Sequence, residues 1–218
     1  MPSTMKIGIL GTGEVGQAMG RGFVSRGHDV KMGSRDAGNA KAQAWAKQAG
    51  AKASVGTFAD AAKFGDAIAL CTLWSATQQI IELAGPKNFE GKIVLDVTNP
   101  LGHEPGGPPS LAIGHTDSGG EQVQRWLPGA KVVKVFNTVG SAHMVDPQFP
   151  GGPPDMFIAG NDADAKKIVS DICKSFGWAT IDVGGIVGSR LLEPMCILWV
   201  QYGIKNGTWN HAFKLLRK

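Results

Sequence analysis

Little in this sequence suits metal chemistry, disulfide cross-links or a membrane. Among 218 residues there are three cysteines, Cys71, Cys173 and Cys196, far apart, with no C-x-x-C pair, and each in an apolar segment. They read as buried free thiols in a reducing compartment. The five histidines are scattered without H-x-x-x-H or H-x-x-E-H spacing, so no metal site is expected. No apolar run approaches the roughly 18 residues of a membrane span. The longest, Met195–Val200, lies between Glu193 and Gln201. Basic residues never occur four in a row and the net charge is only +4, which argues against a nucleic-acid stripe. No signal-peptide pattern precedes the first strand, so a cytoplasmic location is expected.

What is present suits a globular α/β protein. The chain is 43% hydrophobic and 18% charged, enough for a full core, and many of its 31 glycines fall at turns. Strand and helix patterns alternate through the first two-thirds. Strands are expected at 5–10, 29–33, 51–55, 66–72, 92–97 and 131–136, and later at 155–159 and 180–183. Helices are expected after Gly16 and over 38–50, 57–63, 75–85, 119–126, 162–176 and 189–202, with a last one over 209–216. In the second of these Ala40, Ala44, Trp45 and Ala49 would face inward, Thr57 and Ser75 would cap the next two, and Asp162–Phe176 opens with aspartates as its dipole favours. The alternation predicts a Rossmann-type doubly wound parallel sheet with helices on both faces. Residues 1–184 would form this domain and 185–218 a small C-terminal helical part.

The first strand runs into Gly11-Thr12-Gly13-Glu14-Val15-Gly16, and a helix with Val15, Ala18, Met19 and Phe23 on one face follows. In this setting G-x-G-x-x-G is a dinucleotide fingerprint. The first glycine allows a tight turn, the second admits a pyrophosphate, and the third lets helix pack on strand. The helix N-terminus would hold the pyrophosphate. The second strand ends in Gly33-Ser34-Arg35, without the carboxylate that grips an NAD ribose. Ser34 can donate a hydrogen bond to a phosphate monoester and Arg35 can fork onto it, which predicts NADP(H). Asp29 sits at the strand's start, on the wrong edge of the sheet.

The nicotinamide end should lie beside Thr72-Leu73-Trp74, Asn99-Pro100 and Asn137-Thr138, at the exits of the fourth, fifth and sixth strands. Leu73 and Trp74 offer apolar surface, although Trp74 suits core packing equally. Asn99 and Asn137 offer amides for ribose or carboxamide, although Asn99-Pro100 also suits a turn. The Pro/Gly-rich loop 99–115 leaves the carboxyl end of the fifth strand and reads as a flap over the substrate site. A second irregular loop spans 140–154. No ionisable residue is expected at these strand exits, so no catalytic side chain is assigned; His103, His115 and His143 read as loop histidines. Hydride transfer between two stacked organic rings needs no positioned acid or base, whereas reduction of a ketone does.

The Gly11–Gly16 turn, Gly33-Ser34-Arg35, Leu73-Trp74, Phe136-Asn137-Thr138 and the late Ser189-Arg190-Leu191-Leu192-Glu193 segment resemble the NADP oxidoreductases dependent on coenzyme F-420 (F420), a deazaflavin. The resemblance implies hydride passing directly between NADPH and the deazaflavin, in homodimers assembled partly through the C-terminal part. Two positions depart from the family: Asp36 stands where archaeal members tend to carry a basic residue, and Asn137 where they tend to carry histidine. The Phe-Asn-Thr form is similar to the cytoplasmic reductase domain of membrane-bound ferric and cupric reductases, which pass hydride to a flavin. The acceptor is therefore open between F420, FMN or FAD, and something smaller. Two other readings stand beside this one: a reductase of a small imine or keto acid, and a non-catalytic NADP(H) redox-sensing module.

Overall fold

The computed structural model describes residues 4–102 and 107–218. His103, Pro105 and Gly106 of the first loop lie outside the described residues. The elements are β1 (Lys6–Leu10), α1 (Glu14–Ser25), β2 (Asp29–Ser34), α2 (Ala40–Ala49), β3 (Ala53–Thr57), α3 (Phe58–Phe64), β4 (Ala67–Leu70), α4 (Trp74–Ala84) and β5 (Ile93–Asp96). They continue with β6 (Leu101–Gly102), β7 (Ser110–Leu111), α5 (Gly119–Trp126), β8 (Lys131–Lys134), β9 (Asp155–Gly160), α6 (Ala163–Ser175), β10 (Ala179–Asp182) and α7 (Ser189–Asn206). Eight strands form one sheet in the order β3-β2-β1-β4-β5-β8-β9-β10, while β6 and β7 pair as a small hairpin inside the first loop.

Alternation along the strands fills two layers. In β4, Ala67 and Ala69 join a core with Met19, Phe23 and Trp45 from α1 and α2, and with Val169 and Ile172 from α6. Ile68 and Leu70 join the opposite core, with Ala61, Ile80, Ile81 and Val123 from α3, α4 and α5. Strands covered on both faces need apolar residues at every position, and β4 is buried throughout. The fold is thus a doubly wound α/β sheet, parallel from β3 to β8.

Beyond β8 the direction reverses. β9 runs antiparallel to β8, and β10 is parallel to β9 with α6 between them. A parallel neighbour needs a crossover element, and residues 135–154 contain only one short 3-10 turn, at Ser141–His143. The expected doubly wound parallel sheet is present, with the last two strands added in the reverse direction.

Three local expectations also change. In α2, Ala42 and Trp45 are buried while Ala40 and Ala44 are exposed. Asn39, not Gly38, starts the helix by capping Ala42, and Trp45 fixes the inward face by donating its indole N–H to Gln17. Thr57 caps α3 in a capping box with Asp60, but α4 begins one residue before Ser75, with Leu73 at its N-cap. Residues 209–216 form no helix. Gly207, in the left-handed conformation, ends α7, and the tail then bonds to neighbours instead of to itself. Trp199 Nε1 donates to the His211 carbonyl at 3.0 Å, and Asp155 N–H donates to the Phe213 carbonyl at 3.0 Å.

Among the described residues no helix is long and apolar enough to cross a membrane, and no three His, Cys, Asp or Glu side chains cluster to hold a metal ion.

Candidate active site

The carboxyl ends of β1 and β4 meet at the point where the crossovers change side, which is where open α/β sheets bind ligands. Cys71 N–H donates to the Leu10 carbonyl at 2.9 Å, and Gly11 leaves β1 with φ at +124°. A Cβ on Gly11 would stand 2.2 Å from the Cys71 carbonyl oxygen; one on Gly16 would stand 2.2 Å from the Gly11 carbonyl oxygen. Around Gly13 nothing lies within 4 Å of that position. Two glycines therefore close the turn and the third leaves a cradle open over the start of α1. Gly13 is the N-cap of α1 and provides no side-chain cap, so the first N–H groups remain free for an anion. The Thr12 carbonyl is taken by Gln17 Nε2 at 3.0 Å, Val15 packs against the core, and Glu14 is exposed at the helix start. The Cys71 thiol, beside this crossing point, is pushed up to about 12 by desolvation, with Asp96 adding to it, and offers no thiolate.

At the end of β2, Arg35 is exposed and Ser34 is buried, with its hydroxyl donating to the Asp36 carbonyl. That hydroxyl must turn away from Asp36 to donate to a ligand. Asp36 bends back to accept the Gly38 N–H at 2.9 Å, which shapes the turn under Arg35. Asp29 pairs with Lys6 at the far end of the strands and leans toward Lys52, well away from this corner.

The strand exits bring most of the remaining candidates together. Asn99 Nδ2 donates to the Asn137 carbonyl at 2.9 Å, and Asn137 Nδ2 donates to Asn99 Oδ1 at 3.2 Å and to the Leu192 carbonyl at 2.8 Å. Among the described residues Asn137 Oδ1 is a buried acceptor without a partner. Asn99, half-buried, is the member of the pair whose amide a ligand can reach. Pro100 and Thr138 are buried beside the pair. Thr72 shares a 2.7 Å hydrogen bond with Thr77, and Leu73 is 80% exposed. Trp74 stacks on Trp126 with centroids 5.5 Å apart, so packing accounts for it.

The expectation that no ionisable residue lies at these exits is corrected. Asp96 and Lys134, at the ends of β5 and β8, are both fully buried, and Lys134 Nζ lies 2.8 Å from Asp96 Oδ2 and 2.9 Å from Glu193 Oε1 of α7. Burial alone would lower the Lys134 pKa, but Asp96 and Glu193 outweigh it and hold the value above the ordinary one. Glu193 also accepts the Gly119 and Gly120 N–H groups, each at 2.9 Å, and so occupies the positive end of α5. A charge inside an otherwise apolar strand, as in Val132-Val133-Lys134-Val135-Phe136, was the available sign, because an isolated buried charge is prohibitively costly.

Leu111, Gly114 and His115 from the first loop, Val183 and Val187 from the segment after β10, and Arg190, Leu191 and Ile197 of α7 line a mainly apolar groove of about 950 Å³. His143 lies elsewhere, bonded to Asn210 at 2.9 Å.

Residues 6–100 match the family profile described as NADP oxidoreductase coenzyme F420-dependent. The chain is 33% identical to the F420-dependent NADP reductase of Methanocaldococcus jannaschii, covering 92% of this chain and 93% of that one. A crystal structure from Arthrobacter sp. FB24, described as that of a putative F420-dependent NADP-reductase, superposes with a TM-score of 0.91 at 37% identity, over 98% of this chain and 100% of the other. Metalloreductase STEAP3 of Rattus norvegicus is 28% identical over 87% of this chain but only 36% of its own length. At 33% identity to that archaeal reductase over 92% of its length, the chain belongs to the F420-dependent NADP reductase family of NADP-dependent oxidoreductases.

Proposed function

We propose that this protein transfers hydride between NADP(H) and a stacked deazaflavin, coenzyme F420, with FMN or FAD as the flavin variant of the same acceptor class. The observation that carries the reading is the nature of the strand exits. They present amides and apolar surface, while the nearest charges, Asp96 and Lys134, are sealed off from any ligand. The strand exits themselves can hold and orient two rings but offer no accessible group to move a proton in step with hydride, and the ionisable side chains on the acceptor groove are His115 and Arg190. Bound NADPH supplies the hydride. Gly11–Gly16 would hold the pyrophosphate, Ser34 and Arg35 the 2′-phosphate, and Asn99 with Asn137 the carboxamide. Leu73 would lie against the nicotinamide riboside, and the groove between Leu111 and Leu191 would admit the acceptor.

A homodimer is part of the same reading. Leu191, Leu198 and Tyr202 leave an apolar stripe along one side of α7, which suits pairing through residues 185–218, the proposed C-terminal part. The three free thiols fit a cytoplasmic location.

The test is a stopped-flow screen of NADPH oxidation against F420, FMN, FAD and a ferric chelate. Rapid oxidation by F420 or a flavin supports the proposal. Oxidation by none of the four refutes it, and exclusive reaction with an imine or keto acid replaces it.

A further inference from the structure

We propose that Lys134 is a positioning residue, whose buried triad with Asp96 and Glu193 sets the orientation of the Asn99–Asn137 amide pair and through it the nicotinamide ring. The proposal rests on the reading that this pair receives the carboxamide.

Lys134 has three N–H donors and three acceptors: Asp96 Oδ2 at 2.8 Å, Glu193 Oε1 at 2.9 Å and the Thr98 carbonyl at 3.0 Å. Asp96 Oδ1 in turn accepts the Thr98 N–H at 3.0 Å and the Thr98 hydroxyl at 2.6 Å. The peptide unit that leads into Asn99 is thereby held at its carbonyl by Lys134 and at the preceding N–H by Asp96. On the other side, Glu193 follows Leu192, whose carbonyl accepts Asn137 Nδ2 at 2.8 Å. The Asn137 amide is therefore anchored one residue away from Glu193, and Asn99 directly follows the Thr98 carbonyl that Lys134 holds. Asn137 follows Lys134 by three residues on the same strand exit, so one ammonium fixes β5, β8 and α7 at once.

A stabilising role alone accounts poorly for this arrangement. A buried ion pair gains little over apolar residues of the same volume, whereas a buried network of ion pairs and hydrogen bonds can fix one geometry among several. Here the network's edge is the part that faces the ligand.

The test separates the two ends of the cofactor. Adenosine 2′,5′-bisphosphate reports only the corner at Ser34 and Arg35, while NADPH reports that corner and the nicotinamide end. In Lys134→Met, and in the neutral triple variant Asp96→Asn/Lys134→Met/Glu193→Gln should the single variant fail to fold, bisphosphate affinity should stay within about twofold while NADPH affinity falls about tenfold, the loss of roughly one hydrogen bond. The fluorescence of bound NADPH should move toward that of free NADPH. Asn99→Ala should weaken NADPH on its own yet add little in the triad variant, because both act through one contact. Parallel weakening of both ligands, unchanged NADPH binding, or losses that simply multiply would overturn the positioning role. Unchanged NADPH affinity in Asn99→Ala alone would instead refute the underlying reading of the amide pair.

Discussion

Arg190, in the first turn of α7, grips Glu121 of α5 through two parallel bonds, Nε to Oε2 at 2.8 Å and Nη2 to Oε1 at 2.6 Å. Glu121 also accepts from Ser118, the N-cap of α5. This fork and the Glu193 cap one turn later hold the C-terminal helix against the sheet.

The pH dependence of stability follows from that clamp. The hydrogen bond from Arg190 lowers the Glu121 pKa against the opposing effect of burial, and the Arg125 hydrogen bond holds Asp117 down at about 2. A carboxylate with a depressed folded pKa contributes stability that is present above its unfolded pKa, about 3.9 to 4.3, and lost as pH falls through the folded value. Arg190→Met should lower stability at pH 7, modestly because the pair is partly exposed and screened by solvent. Its deficit should shrink as pH falls from about 4 toward 2. Thermal melts of both proteins across that window check the prediction; a deficit that stays constant there contradicts it.

Gly13 and Gly16 should respond oppositely to alanine. At Gly13 the added Cβ meets nothing in the protein, so Gly13→Ala should melt like the parent but bind NADPH at least about tenfold more weakly, because the methyl enters the pyrophosphate cradle. At Gly16 the methyl meets the Gly11 carbonyl, and Gly16→Ala should lose roughly 1–3 kcal/mol of stability. Denaturant titration with calorimetric binding separates the two.

Arg35→Ala should cost NADPH about 10- to 100-fold in affinity, the worth of a charge-assisted hydrogen bond, while leaving NADH almost unchanged. Equal losses for both cofactors would remove Arg35 from the 2′-phosphate site.

Leu73 is exposed, whereas Trp74 is half-buried in a stack with Trp126. Leu73→Ala should weaken NADPH without moving the melting temperature. Trp74→Ala removes the stacking partner and should destabilise by about 1 kcal/mol. A melting temperature lowered by Leu73→Ala, or untouched by Trp74→Ala, would contradict this division.

Local signals made much of this legible in the sequence. The Gly11–Gly16 turn, the apolar runs of β1, β4 and β5, and the Thr57 cap depend on neighbours a few residues away. The inner face of α2 is legible only in part: Trp45 and Ala49 meet the core, but alanines carry little pattern and Ala40 and Ala44 face solvent. The reversal at β9 was missed because strand patterns carry no direction. The tail after Gly207 looked helical by periodicity, yet its bonds to Asp155 and Trp199 come from distant parts of the chain. The Asp96–Lys134–Glu193 triad joins three separate elements, and only the oddity of charges within apolar strands hinted at it.

The most direct test of the central claim is single-turnover oxidation of NADPH by F420, followed from pH 6 to 9 in water and in deuterium oxide. With two stacked rings and no proton-moving side chain at the strand exits, the hydride-transfer rate should be fast, nearly flat with pH and almost insensitive to solvent deuterium. A rate that changes about tenfold per pH unit, or that slows severalfold in deuterium oxide, would reveal a positioned acid or base and contradict the account.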